Sequence, residues 1–415
     1  MMDLVVEGQL YLDGRLTHGC VGIENGRITA VKKMLRGERH HDYGDSLIFP
    51  GGIDVHVHFR EPGQPDKEDM STGSRAAALA GITTALDMPN TRPPTVTQEA
   101  LRDKARRAAR RACIDLGFYA GVAPGCNVEA MASDCIGFKI YLSGDNDIVV
   151  PDGELPGVLR KIASTGKVLA VHAEHRACIT REPAGSLVDH EQHRPARCEL
   201  MGIRRMLEAN EDAGARLHIC HLSSPEAAEL VQRSTATGGV TPHHLLLSLS
   251  SSFDIEAMGL VNPPLRSETT RAGLWERFRR GDIDIAESDH APHLLEEKRH
   301  IEEAPSGIPG VDVLLPLLLR QVKQGGLPLS LVHQMCCHRP ASRFNLDRGD
   351  IAAGKMADLL VIDFEEQRVE PSSKCGWSPY EGWPAVYPRD VFLHGERIVD
   401  NGEFVGEPGM GRVIP

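Results

Sequence analysis

Residues 54–63 read Asp54-Val55-His56-Val57-His58-Phe59-Arg60-Glu61-Pro62-Gly63, at the end of an apolar run of Leu47, Ile48, Phe49 and Ile53. Strand side chains alternate with period two, so His56 and His58 project from one face while Val55 and Val57 project from the other. Two imidazoles leaving one strand end supply half of a metal site, and imidazole suits zinc and its first-row neighbours. The plainer reading is a pair of unrelated strand histidines. What decides between the two is whether the rest of the chain brings more chemistry to the same place.

Outward from this stretch the sequence repeats a strand-then-helix rhythm. Short apolar runs lie at 53–58, 83–88, 116–121, 138–142, 168–172, 217–222, 240–244 and 283–288. Helix-compatible stretches at 71–80, 98–111 and 225–232 separate several of them. Eight strands with crossovers predict an α/β fold, a (β/α)8 TIM-type barrel over residues 51–345, in which chemistry gathers at the carboxyl ends of the strands. A doubly wound open sheet is the alternative; the turn after the first strand has no GxGxxG, which weakens its dinucleotide-binding version. Residues 1–50 and 346–415 have another texture, with short strands and turns such as Glu24-Asn25-Gly26. Two β-rich ends around an α/β middle predict one small β-sandwich domain built from both termini.

Composition narrows the class. The 415 residues are 41% hydrophobic and 25% charged, ordinary globular material with ample core. A formal net charge of -12 disfavours non-specific binding to nucleic acid or anionic membrane. No apolar run reaches the ~18 residues of a membrane span. The start, Met1-Met2-Asp3-Leu4, lacks a basic n-region, so the expectation is a cytoplasmic protein without a signal peptide. The ten cysteines include no CxxC pair, and in such a protein they read as buried small hydrophobes, not a disulfide framework.

With strand ends as the filter, a few residues stand out. Lys139 sits among apolar neighbours in Gly137-Phe138-Lys139-Ile140-Tyr141-Leu142. It either reaches solvent or a carboxylate, or it reacts as a neutral amine with carbon dioxide, losing a proton to become a carbamate whose two oxygens can bridge two metals. His172 closes the fifth run, as a ligand or as a core histidine bonded to backbone. In His218-Ile219-Cys220-His221, alternation sends the two histidines to opposite sides. His221 lies nearer the carboxyl end and is preferred; His218 and Cys220 read as packing residues. Asp289, in Ser288-Asp289-His290-Ala291-Pro292-His293, either caps a turn or binds metal and moves protons. Arg60 shares the face of His58 if the strand persists that far, and its planar fork suits a carboxylate.

Taken in order, these segments resemble the dihydroorotases of the amidohydrolase superfamily. The residues that carry the resemblance are Asp54 to Gly63, Lys67-Glu68-Asp69, Thr72-Gly73, Met88-Pro89-Asn90-Thr91, Gly137 to Tyr141, His172-Ala173-Glu174, His218 to His221, Pro242-His243-His244, Asn262 to Arg266 and Ser288 to His293. An ordered set of this kind is far more specific than any one motif. The resemblance implies two divalent metal ions, zinc first among them, held by His56, His58, N6-carboxylated Lys139, His172, His221 and Asp289. It implies that Arg60, Asn90 and His293 hold a substrate carboxylate, with Asn262 near the ring. Many bacterial members place an aspartate where Lys139 stands, so this is the lysine form. Gly239 replaces a strand-seven glutamate of some relatives, which puts any extra metal there in doubt.

The implied reaction is the reversible cyclisation of N-carbamoyl-L-aspartate to (S)-dihydroorotate and water, a step of de novo pyrimidine biosynthesis. A hydroxide bridging the metals would be the nucleophile of the reverse direction, and Asp289 the general acid and base. The partner is then a small molecule; homo-oligomerisation or association with an aspartate carbamoyltransferase is left open. Hydantoinases, dihydropyrimidinases and allantoinases are rivals within the same chemistry, but their substrates lack the ring carboxylate that Arg60 would bind. A non-catalytic scaffold homologue is the rival of another class, and such proteins betray themselves by missing ligands.

Overall fold

The computed structural model describes residues 2–415. Eight parallel strands form the barrel wall: β1 (Gly52–Val57), β2 (Ile82–Asp87), β3 (Asp115–Gly121), β4 (Gly137–Tyr141), β5 (Val168–His172), β6 (Arg216–Ile219), β7 (Thr237–Val240) and β8 (Ile285–Ala286). Each pairs with the next in sequence order, from β1 round to β8. The last gap is bridged beyond β8, where Val57 pairs with His290 and the His58 N–H donates to His290 O at 2.8 Å. The strands are buried on both faces, as parallel strands covered by helices must be. Ile53, Val55, Leu86, Tyr119, Ala170 and Ile285 pack inside with Phe344.

Helices Gln98–Arg111 and Pro225–Gln232 fall on the stretches read from the sequence, and Met70–Leu79 within one residue of its own. Their starts are explained locally. Asp69 accepts from the N–H groups of Ser71 and Thr72, and Ser224 caps the helix that opens on Pro225.

The seventh strand differs from the expectation at 240–244. Strand pairing covers Thr237–Val240, and Pro242–Leu246 is a short helix capped by Thr241, whose hydroxyl accepts from the His244 N–H. Proline at the first helical position and a threonine cap outweighed the apolar look of the segment. The cysteine expectation is also corrected. Cys178, in the turn after β5, is disulfide-bonded to Cys198 in helix Ala196–Asn210. The His175 N–H donates to Cys198 O at 2.9 Å, which brings the two cysteines to a Cα separation of 5.2 Å. The other eight cysteines are free, and seven of them are buried.

Residues of both termini meet in one eight-stranded sheet. Met2–Leu12 pairs antiparallel with Arg15–Glu24 and parallel with Gly37–Pro50, which pairs antiparallel with Leu359–Ile362. Leu4, Val6, Val21, Ile48, Leu359 and Phe392 form its core. Gly37–Pro50 runs through Gly51 straight into β1, so the sheet is joined to the strand that carries His56. Arg348 clamps barrel to sheet, bonding Asp115 at 2.8 Å and Asp358 at 3.1 Å in a buried cluster. The last paired residues, Val413–Ile414, lie along β3.

Candidate active site

His56, His58, Lys139, His172, His221 and Asp289 all sit at the carboxyl ends of their strands, around one cavity that Lys139 alone does not line. Asp289 Oδ1 lies 3.2 Å from His56 Nε2 and 3.2 Å from His58 Nε2. His172 Nδ1 is 3.1 Å from His221 Nε2, and the His56 and His221 rings are 5.3 Å apart. The tautomers follow from the outward bonds. His58 Nδ1–H donates to Asn90 Oδ1 at 2.6 Å and His172 Nε2–H to Glu174 Oε2 at 2.9 Å. Each inward nitrogen therefore presents a lone pair. Burial first, then the charges of His56 and Arg60, pushes His58 down to about 3. Burial opposes ionisation of Asp289, but His56 and His58 hold it below the usual carboxylate range. Burial and the Lys139 charge likewise oppose a charged His56, yet Asp289 and Cys220 carry it up to about 10. The His58 lone pair beside a carboxylate, the His172 and His221 imidazoles on the same cavity, and surroundings that favour positive charge at His56 make a donor set suited to cations. Lys139 Nζ is fully buried and 3.1 Å from Cys220 Sγ.

The chain bends sharply to aim some of these groups. Arg60, His221 and Asp289 have φ of 58, 38 and 47°, in the left-handed region. Such residues cost roughly 1–3 kcal/mol each and persist where the surroundings over-determine them. The surroundings here are explicit. The His221 N–H donates to Glu287 Oε1 at 2.6 Å. Asp54 Oδ1 accepts from the N–H groups of His56 and Ser288, both at 3.1 Å, joining β1 to the end of β8. Asp87 accepts the Phe59 N–H at 2.8 Å and pairs with the buried Lys104 at 2.6 Å, bracing the turn before Arg60.

The same cavity is also lined by N–H donors. Arg60 is buried; its Nε donates to Pro292 O at 3.0 Å and its Nη2 lies 3.0 Å from His293 Nε2. Asn90 spends its oxygen on His58, leaving its amide N–H groups for a ligand. Asn262 lines the cavity and takes the Nε2–H of His190 at 2.9 Å. Ser306 and Gly307 complete the rim, and Gly307 has φ 136°, where a Cβ would meet Ala291 O at 2.6 Å. Arg60 reaches the cavity through its left-handed turn, since β1 ends at Val57 and strand alternation no longer applies.

Several residues of the site were not singled out in the sequence. Glu287 is fully buried, bonds His218 Nε2 at 3.1 Å and lies 3.6 Å from His56 Nδ1. A Cβ on Gly239 would stand 2.4 Å from Glu287 Oε1, so this carboxylate fills the space that a β7 side chain would take. His218 and Cys220, read as packing residues, are polar partners of Glu287 and Lys139. Glu174 is held by Arg194 at 2.8 Å, which also bonds Asp145 on the loop after β4 at 2.7 Å. Tyr141 lines the cavity.

The amidohydrolase family pattern matches residues 47–398, and the chain belongs to that family. It is similar over its length to curated dihydroorotases of archaea. That of Halobacterium salinarum is 36% identical, covering 95% of this chain and 96% of the relative. That of Methanosarcina acetivorans is 34% identical, covering 100% and 96%. Among solved structures, the L-hydantoinase (dihydropyrimidinase) of Arthrobacter aurescens superposes with a TM-score of 0.94 at 28% identity, covering 100% of this chain and 99% of that one.

Proposed function

We propose that this amidohydrolase is a dihydroorotase, closing N-carbamoyl-L-aspartate to (S)-dihydroorotate with loss of water and catalysing the reverse hydrolysis. One observation carries the choice within the family: the cavity that holds the imidazoles and Asp289 is also lined by the N–H donors of Arg60 and Asn90, which suit a carboxylate on the ring. Hydantoin and allantoin have none. The names of the archaeal relatives support the same choice.

In this reading His56, His58, carboxylated Lys139, His172, His221 and Asp289 hold two divalent ions, with zinc the expected metal. When bound, these ions would supply Lewis acidity, polarising the scissile carbonyl and making hydroxide available near neutral pH. The other contributions are the chain's own. Asn90 and Glu174 fix the tautomers of His58 and His172. Asp289 takes a proton from the attacking water and gives it to the ring nitrogen as the amide bond opens; in cyclisation the transfers reverse. Arg60, Asn90 and His293 hold the carboxylate, with Asn262 beside the ring. A cytoplasmic location and a small-molecule partner belong to the same proposal. Among the described residues no helix is long and apolar enough to cross a membrane.

The test is metal analysis of the purified protein with parallel hydrolysis assays on dihydroorotate, hydantoin and allantoin. Two metals per chain and preferred turnover of dihydroorotate are expected. Faster hydantoin or allantoin turnover transfers the protein to those classes, and metal-free, inert protein favours the scaffold reading.

A further inference from the structure

The run Lys67-Glu68-Asp69 precedes helix Met70–Leu79, and the charge of Lys67 has no part in the chemistry above. Yet Lys67 is buried, its Nζ 2.7 Å from Glu297 Oε1 and 3.1 Å from His293 Nδ1. The neighbourhood is rigid. Asp69 caps the helix, Trp377 Nε1 donates to His293 O at 2.7 Å, and the Leu294 N–H holds the other oxygen of Glu297 at 2.9 Å. The neighbours of His293 are mostly cationic. Burial, then Arg60, Lys298 and Lys67, keeps the ring far below the ordinary histidine range, so it is neutral, with one N–H and one lone pair.

The two tautomers can be compared contact by contact. With the proton on Nε2, Nδ1 accepts from the Lys67 ammonium, and Nε2–H has Ser306 O as acceptor at 3.2 Å. The one conflict is with Arg60 Nη2, a donor 3.0 Å from Nε2. With the proton on Nδ1, Arg60 gains an acceptor, but Nδ1–H faces an ammonium that has only donors, and the Nε2 lone pair faces a carbonyl oxygen. The Glu297 oxygen nearest Nδ1, at 3.7 Å, is too far to compensate. Two favourable contacts against one select the first tautomer.

We propose that Lys67 is a positioning residue, which holds His293 with its proton on Nε2, so that a ligand carboxylate arriving beside Arg60 takes this N–H over from Ser306 O and accepts from the Arg60 fork as well. The donor–donor contact between them is the form such a pocket takes when its ligand is a carboxylate: two N–H groups side by side repel until an anion accepts both. This rests on the dihydroorotase reading for the identity of the carboxylate, and on the geometry alone for the tautomer.

The two parts separate experimentally. Metal-loaded protein labelled with 15N in its histidine rings is examined by long-range 1H–15N NMR, with His293 assigned through His293→Gln. Wild type is expected to show the Nε2–H pattern. Lys67→Met is expected to shift it toward Nδ1–H and to raise KM for dihydroorotate roughly tenfold or more, with kcat changed far less. Lys67→Arg is expected to restore both, and Glu297→Gln to keep the Nε2–H pattern. An Nδ1–H pattern in wild type overturns the proposal, as does an unchanged pattern in folded Lys67→Met. Should Lys67→Met fail to fold, the wild-type and Glu297→Gln spectra still decide. Absence of dihydroorotate turnover in wild type would count against the functional reading and leave the tautomer result standing.

Discussion

Two walls of one cavity obey opposite rules. On the side of His58, His172 and Asp289, outward bonds from the two imidazoles place their protons away from the cavity and leave lone pairs and a carboxylate facing inward, with His56 and His221 beside them. On the side of Arg60 and Asn90, a guanidinium that has only donors and an amide whose oxygen is spent on His58 leave N–H groups for a ligand. The same device, a second partner behind each side chain that settles its proton, is used with both signs. In the proposed reading one group takes cations and the other an anion. On that reading the first opens a cyclic amide and the second restricts which cyclic amide enters.

The largest effect is expected at Asp289, the proposed acid and base. Asp289→Asn is expected to lower kcat for dihydroorotate by about 10³-fold or more, within the usual range of acid–base catalysis or beyond it. Near-normal turnover would remove the proton-transfer role. Lys139→Ala should leave the fold intact, as judged by circular dichroism, while abolishing activity and lowering the metal content of the purified protein. Full activity with two retained metals would refute the bridging carbamate.

The anion wall is probed by Arg60→Ala. Its loss is expected to raise KM for dihydroorotate by about 10–100-fold, the cost of a charged hydrogen bond, with a smaller change in kcat. Any weak hydantoin activity should be unaffected, and an equal loss on both substrates would mean that Arg60 serves the fold instead. Gly239→Ala sharpens the cation wall from behind. Its Cβ would stand 2.4 Å from Glu287 Oε1, so thermal stability should fall by about 1–3 kcal/mol through overpacking.

Stability also depends on pH through one buried lysine. Burial, aided by Arg60, lowers Lys298 to about 7 in the fold from an ordinary 10.5. Above pH 7 the folded chain releases this proton before the unfolded chain does, so the unfolded state binds more protons and stability rises with pH toward 10.5. Melting temperatures across that window should rise less in Lys298→Met than in wild type; parallel curves would exclude the contribution.

Much of this was legible in sequence because strand ends act as a filter. Period-two alternation brought His56 and His58 out together at the end of β1, and the helix-compatible stretches at 98–111 and 225–232 coincide with helices. Alternation failed where the backbone leaves the extended region, and for that reason Arg60 and His221 reach the cavity by routes it does not describe. The seventh strand was misplaced because Gly238-Gly239 carries no strand signal, its side-chain space being filled by Leu222 and Glu287. Glu287 and Lys67 act only through neighbours distant in the chain, Glu174 links the nearby His172 to Arg194 twenty residues on, and the disulfide between Cys178 and Cys198 spans a gap of 20 as well. Such pairings exist only once the barrel closes.

The volume beside Gly239 has a single tenant. Any homologue that regains a bulky residue on that strand must surrender the acid contributed by the next one, and the reverse exchange is equally forced. Substitutions at 239 and 287 should therefore travel together through evolution, and a library randomising both positions at once ought to recover active solutions that neither position yields alone.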